Sequence, residues 1–258
     1  MSFPLVSILI ANFNNKDFLE RSINSAKNQS YPNKEIIVYD DLSKDESRDK
    51  LKKIKNIKII YNKKKLGIPY LDAMNAYSKM FEKSKGKFIF LLDSDDFYKK
   101  SKLKQVIKHF KNTNIKLIQD IPLIKIKNNF LLTKNKNFFL SRFPNFSPLS
   151  SLSVERNFFK TFFTFDKSLK NKFVNVWLDF RLCSYAYFKK KNFFFFKKKL
   201  TIYDQSHPSN QSKKYTLLSA NWINRRYYSH LYVNNLLNKK ILFNLDFYLT
   251  KLLHRFLQ

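Results

Sequence analysis

The chain has 258 residues, one cysteine (Cys183) and 50 Lys and Arg against 19 Asp and Glu, for a formal charge of +31. A content of 44% hydrophobic and 17% aromatic residues excludes a disordered chain, and a lone cysteine excludes a disulfide framework or a Cys-based zinc site. The charge raises the possibility of a polyanion partner. The excess is nearly all Lys, however, spread through a sequence equally heavy in Asn, Ile and Phe and holding two glycines, which suits a coding bias rather than a nucleic-acid surface.

Strand-like and helix-like segments alternate through the first 120 residues, the pattern of a doubly wound α/β sheet. Leu5–Ala11 reads as a strand, Lys16–Asn28 as a helix, Lys34–Tyr39 as a strand and Asp45–Ile54 as a helix. Asn56–Tyr61, Lys87–Leu92 and Ile115–Ile121 read as further strands, with helices over Ile68–Lys83 and Lys99–Lys111. The amino terminus has no basic leader or small-residue cleavage site, so the apolar run Leu5–Ile10 is read as strand, not signal peptide.

Beyond residue 121 the regularity breaks. Leu123–Lys127 and Phe130–Thr133 predict a hairpin, Asn137–Ser153 an irregular loop, Val174–Lys189 a helix and Asn192–Tyr203 a strand. Tyr215–Leu257 predicts two helices, in which Arg225, Arg226, Tyr227 and Tyr228 would meet either membrane headgroups or solvent. No apolar stretch approaches the roughly 20 residues that span a bilayer, so the chain is expected to be soluble or peripheral.

Chemistry is expected at the carboxyl ends of the strands, where ligands of open α/β sheets bind. Asp93-Ser94-Asp95-Asp96 follows the apolar run Phe88–Leu92 and crowds three carboxylates into four positions of an acid-poor chain. Asp oxygens suit hard cations such as Mg²⁺ or Mn²⁺ that also hold phosphates. Ala11-Asn12-Phe13-Asn14 and Asp40-Asp41-Leu42-Ser43-Lys44-Asp45 end two other strands, offering an aromatic ring to stack on a base and acids to accept its hydrogen bonds. The bland alternatives are turn and helix-capping acids.

With these motifs in place, the chain resembles glycosyltransferase family 2, inverting enzymes that use nucleotide-sugar donors. Val6–Asn14 is similar to the family's opening strand and its Tyr-Asn, with Phe13 for Tyr; Tyr39–Asp45 to its Asp-Asp-Gly-Ser-x-Asp turn, with Leu42 for Gly; and Gly86–Asp96 to its Gly-Glu-Tyr-Ile-x-x-Leu-Asp-x-Asp-Asp segment. The resemblance implies a GT-A fold, Rossmann-like and mostly parallel with flanking helices, here with a C-terminal helical extension. Residues 1–120 would be a nucleotide-sugar-binding half, 121–212 an acceptor-binding half and 213–258 the extension, possible membrane contact included.

By the same resemblance Ala11, Phe13 and Asp41 would line the base pocket, Asp93 would face the ribose or donor sugar, and Asp95 would hold Mn²⁺ or Mg²⁺. Asp179, in Val176–Arg181, would be the general base, and His207, in a loop over Tyr203–Ser212, would reach the diphosphate or metal. The implied partners are a nucleotide-sugar donor, a glycan or lipid-linked glycan acceptor and an anionic membrane surface; the implied setting is bacterial surface-polysaccharide synthesis on the cytoplasmic side. A metal-dependent phosphatase or nucleotidyltransferase, and a basic nucleic-acid binder, are the rivals. A phosphatase of the haloacid dehalogenase type would carry Asp-x-Asp after its first strand, whereas this chain carries it after the fourth.

Overall fold

The structure, a computed structural model, describes residues 3–132, 141, 143–169, 171–206, 214–238 and 244–257. Four parallel strands come first: β1 (Val6–Asn12), β2 (Lys34–Asp40), β3 (Lys58–Tyr61) and β4 (Phe88–Asp93). They lie in the order β3-β2-β1-β4, joined by helices α1 (Lys16–Lys27), α2 (Ser47–Lys53) and α3 (Pro69–Lys83). The order reverses between β1 and β4, and at such a switch the connections diverge and leave a crevice at the carboxyl ends. Both strands are buried on both faces, as their unbroken apolar runs require.

The second half of the chain adds strands of both directions. Beyond β5 (Phe97–Tyr98) and α4 (Lys102–Asn112), β6 (Leu117–Ile126) turns through Lys127-Asn128 into β7 (Asn129–Leu132), so the expected hairpin forms. A 3-10 turn (Leu149–Ser151) leads into β8 (Leu152–Glu155), which slots antiparallel between β4 and β6. The sequence predicts a loop there. Four residues give too short a pattern to read, and the strand exists because its flanks are already sheet. β9 (Phe193–Asp204) runs parallel to β6 and antiparallel to β5, completing one nine-stranded sheet among the described residues.

Helix α5 (Arg156–Asp166) has no counterpart in the sequence expectations. Its five Phe favour strand on propensity, but the Glu155 carboxylate accepts from Phe158 N–H at 3.0 Å and caps the first turn. The predicted helix over 174–189 begins later, as α6 (Leu178–Ser184) continued by a π-helical turn (Tyr185–Lys189). The two expected C-terminal helices are α7 (Ala220–Leu236) and α8 (Leu245–Arg255).

Two apolar cores sandwich the sheet. One packs α1 and α4 against Ile8, Ile10, Phe90 and Leu92; the other packs α3, α5, α6 and α7 against Leu9, Ile89 and Leu91. Each fully buried Leu or Phe contributes about 1.5–3 kcal/mol. Phe193 to Phe196 divide between the two faces: Phe193 joins the second core and Phe194 and Phe196 the first, stacking on His109. Gly86 lets β4 rise beside β1, because a Cβ there would run into the backbone of Val6 and Ser7.

Candidate functional site

The rim of the parallel strands collects the acids that the sequence singles out. Ala11 lies opposite Asp93 across β1 and β4, and Asn12 opposite Asp40 across β1 and β2. Adjacent strands are about 4.8 Å apart, so Asp41, Phe13 and Asp93 leave neighbouring strand ends. Asp40 itself is structural. Buried, it accepts from Asn12 Nδ2 at 3.1 Å, Ser43 N–H at 3.2 Å and Arg48 Nε at 2.7 Å, and so fixes the turn that presents Asp41. Leu42 takes φ +58° in that turn, a left-handed conformation that costs a non-glycine residue about 1–2 kcal/mol.

Asp41 and Phe13 are bridged by one lysine. Asn62 Nδ2 donates to Asp41 Oδ1 at 2.6 Å, and Lys65 Nζ stands 3.3 Å from Oδ2. The same ammonium lies 2.9 Å from the centroid of the Phe13 ring, whose residue is 46% exposed. Lys65, which the sequence reading does not single out, thus occupies the face on which a base would stack.

At β4 a turn closed by Asp96 N–H donating to Asp93 O at 3.0 Å carries the acidic cluster. Asp93 is pushed up to about 7: burial dominates, the Asp95 charge adds to it, the Tyr77 hydroxyl donating to Oδ1 at 2.9 Å opposes it, and Asp179 adds a further push. Asp96 is fully buried and raised well above the carboxylate range, by burial first and then by Asp95 and Asp93. Its Oδ1 accepts from Asp204 N–H at 2.9 Å, which ties the end of β9 to the β4 turn. Arg21 braces the same corner, 2.8 Å from Asp204 and donating to Asp95 O at 2.7 Å. Asp204 also pairs with Lys125 at 3.0 Å.

Among the described residues no three His, Cys, Asp or Glu side chains form a metal cage by themselves. Asp93 and Asp95 nevertheless fit a hard cation shared with a diphosphate. Mg²⁺-like ions take one or two carboxylates and complete their shell with phosphate oxygens and water, and a cation would offset the burial, and the Asp95 charge added to it, that hold Asp93 near 7.

Asp179 sits in the first turn of α6, with Phe180 N–H donating to its Oδ1 at 2.7 Å. Burial raises its pKa, and the positive charge of Arg225 opposes that rise. Its negative charge adds to the rise at Asp93. It also lines a cavity of about 260 Å³ whose walls include Phe146, Trp177, Phe180, Trp222 and Arg225. Trp177 packs against the apolar core as well as lining this cavity.

α6 is anchored by Arg181, fully buried and paired with Asp166 of α5 at 3.1 Å, while the Tyr232 hydroxyl of α7 donates to the same carboxylate at 2.9 Å. The sequence reading missed Asp166 and Arg181. The available signal was an Arg two positions after the candidate base, inside an apolar helix. His207 and most of its loop lie outside the described residues.

A profile of Glycosyl transferase family 2 matches residues 7–194. A relative from Escherichia coli, named UDP-Glc:alpha-D-GlcNAc-diphosphoundecaprenol beta-1,3-glucosyltransferase WfaP, is 37% identical over 129 residues, 50% of this chain and 49% of that protein. The match thus spans about half the length of that curated relative. Among solved structures, S. aureus TarS 1–349 in complex with UDP-GlcNAc superposes with a TM-score of 0.67 at 14% identity, covering 98% of this chain and 71% of that one. The mannosyltransferase PcManGT of Pyrobaculum calidifontis, in complex with GDP-Man and Mn²⁺, superposes with a TM-score of 0.59 at 11% identity, covering 97% and 68%. These likenesses establish the GT-A fold.

Proposed function

The chain belongs to glycosyl transferase family 2, and from that premise we propose that it moves a sugar from a nucleoside-diphosphate donor to a hydroxyl of a glycan or lipid-linked glycan, with inversion, in cell-surface polysaccharide synthesis. The observation that carries this reading is the register that sets Asp41, Phe13 and Asp93 at adjacent strand ends where the strand order reverses. Ala11, Phe13 and Asp41 would receive the base, Asp93 the ribose or donor sugar. Asp95, with Asp93 beside it, would hold Mn²⁺ or Mg²⁺. A cation there supplies charge neutralisation for the departing diphosphate.

Asp179 then acts as the base. As the acceptor oxygen bonds to the anomeric carbon, the bond from that carbon to the diphosphate breaks and the hydroxyl proton passes to the Asp179 carboxylate. Electrons leave with the nucleoside diphosphate, and attack from the opposite face inverts the centre. Residues 1–120 would serve the donor and 121–212 the acceptor. Within 213–258, α7 also lines the Asp179 cavity.

A lipid-linked acceptor, of the kind in the relative's name, implies work at a membrane. No helix among the described residues is long and apolar enough to cross one. α8 instead exposes Leu245, Leu249, Leu252 and Phe256 at helical spacing while its Asp246, Phe247 and Thr250 are buried. An apolar stripe flanked by Lys251 and Arg255 on a basic chain supports peripheral contact with an anionic leaflet on the cytoplasmic side.

The test is a panel of nucleotide sugars scored by thermal shift with and without Mn²⁺, since a ligand that binds only the folded state raises the melting temperature. The cognate donor is expected to give a Mn²⁺-dependent shift that Asp95→Asn abolishes. Asp179→Asn keeps the shift and lowers transfer by about 10²–10⁴-fold. A panel with no metal-dependent shift overturns the reading.

A further inference from the structure

The cavity beside Asp179 has a wall that lies outside the family match. Trp222 and Arg225 belong to α7, beyond residue 194 where the match ends, and line the same cavity of about 260 Å³ as Phe146, Trp177 and Phe180. An aromatic lining suits the apolar faces of a pyranose. What distinguishes this cavity is its charge.

The adjacent arginines of α7 have different commitments. Arg226 is spent: Nε and Nη2 approach the buried Asp246 carboxylate at 2.7 and 2.5 Å. Arg225 forms no ion pair of 4.0 Å or less among the described residues. Its guanidinium lies over the Tyr215 ring at 4.2 Å, an arrangement that orients the fork without neutralising it. The acid that responds to it is Asp179, which lines the same cavity. A partly desolvated guanidinium is matched in shape and charge to a phosphate or carboxylate, and such pairing is stronger in a recess than on open surface.

We propose that Arg225 is a specificity-determining residue that selects an anionic acceptor. The acceptor sugar lies against Trp222 and Phe180, its reacting hydroxyl turns toward Asp179, and a phosphate or carboxylate it carries pairs with the Arg225 guanidinium. The inference rests on the reading of this cavity as the acceptor site. Two sources supply the same chemistry, the diphosphate that joins a sugar to a lipid and the carboxylate of an acidic sugar.

The test compares three acceptors with the cognate donor: N-acetylglucosamine joined through a diphosphate to a short alkyl chain, an alkyl glucuronide, and an uncharged alkyl N-acetylglucosaminide. The full chain is expected to show a KM for one charged acceptor about 10–100-fold below that for the uncharged one, and which charged acceptor wins identifies the source. Arg225→Ala is expected to erase that preference by raising the KM for the charged acceptor to that for the uncharged one, while any change in kcat that follows from the lost charge beside Asp179 is shared by all three acceptors; Arg225→Lys restores part of the preference. Equal use of charged and uncharged acceptors by the parent, or an equal loss on all three in Arg225→Ala, overturns the proposal. Donor hydrolysis without acceptor, read in the same preparations, separates the two levels: if it persists, only the role of Arg225 has failed, and if it is absent along with the donor thermal shift, the transferase reading has failed.

Discussion

At the proposed donor site the side chain that matters most is Lys65. Its ammonium pairs with Asp41 and covers Phe13, and a base can reach that ring only by displacing it. The ion pair is partly exposed and worth at most about 1 kcal/mol, and the cation–π contact about 0.5–1 kcal/mol. Lys65→Ala is therefore expected to tighten donor Kd by up to about tenfold, measured by calorimetry with Mn²⁺ present. The two shifted carboxylates separate in pH. Asp93, near 7 in the metal-free chain, must lose its proton to meet a cation, so donor affinity in Mn²⁺ is expected to rise as pH increases toward 7 and level off above it. Asp179 accepts a proton only when ionised, and burial raises its pKa. At saturating donor and metal, kcat is expected to fall on acidification with a midpoint above the ordinary carboxylate value of about 4.

At the scale of elements, α8 is held by one buried carboxylate. Burial alone would raise Asp246, but His230 and Arg226 outweigh it and bring it down to about 2. A depressed carboxylate contributes stability that is fully present above its unfolded pKa and disappears as pH falls through the folded one. The contribution, about 2 kcal/mol, is expected to be lost between pH 4 and pH 2 in acid titrations followed by circular dichroism, and Asp246→Asn to flatten that part of the curve. Those same elements show what the sequence discloses. The strands before residue 94 and helices α1, α3 and α4 were legible because each carries either an unbroken apolar run or a clear helical stripe. α5 was not, since five Phe in eleven residues hide a helical face inside a strand-like composition. Turns were blurred as well: Asn14, Leu42, Asn56 and Asn175 adopt positive φ where glycine would ordinarily mark the bend. Of the proposed site, Asp41, Asp93 and Asp95 stood in local acidic motifs, and Asp179 could be named only through the family resemblance. Lys65, Arg225 and the Arg181–Asp166 anchor could not, because each matters through a contact between distant segments.

For the whole molecule, charge and the α8 stripe act together. Vesicles containing phosphatidylglycerol are expected to sediment the chain, vesicles of phosphatidylcholine alone much less, and added salt to release it by screening. Replacing Leu252 and Phe256, 52% and 80% exposed, by Glu is expected to weaken partitioning by at least about tenfold. The sheet itself imposes an order of assembly. β4 needs β8 at its open edge, β5 needs β9, and Asp96 meets the N–H of Asp204. A chain made as far as Asp95 already carries Ala11, Phe13, Asp41 and Asp93 but still lacks the strands that close the edges of β4 and β5. On the proposed reading the rim is complete only when β9 is in place, so a chain cut before β9 is expected to leave the edge of β5 open and to lack transfer activity.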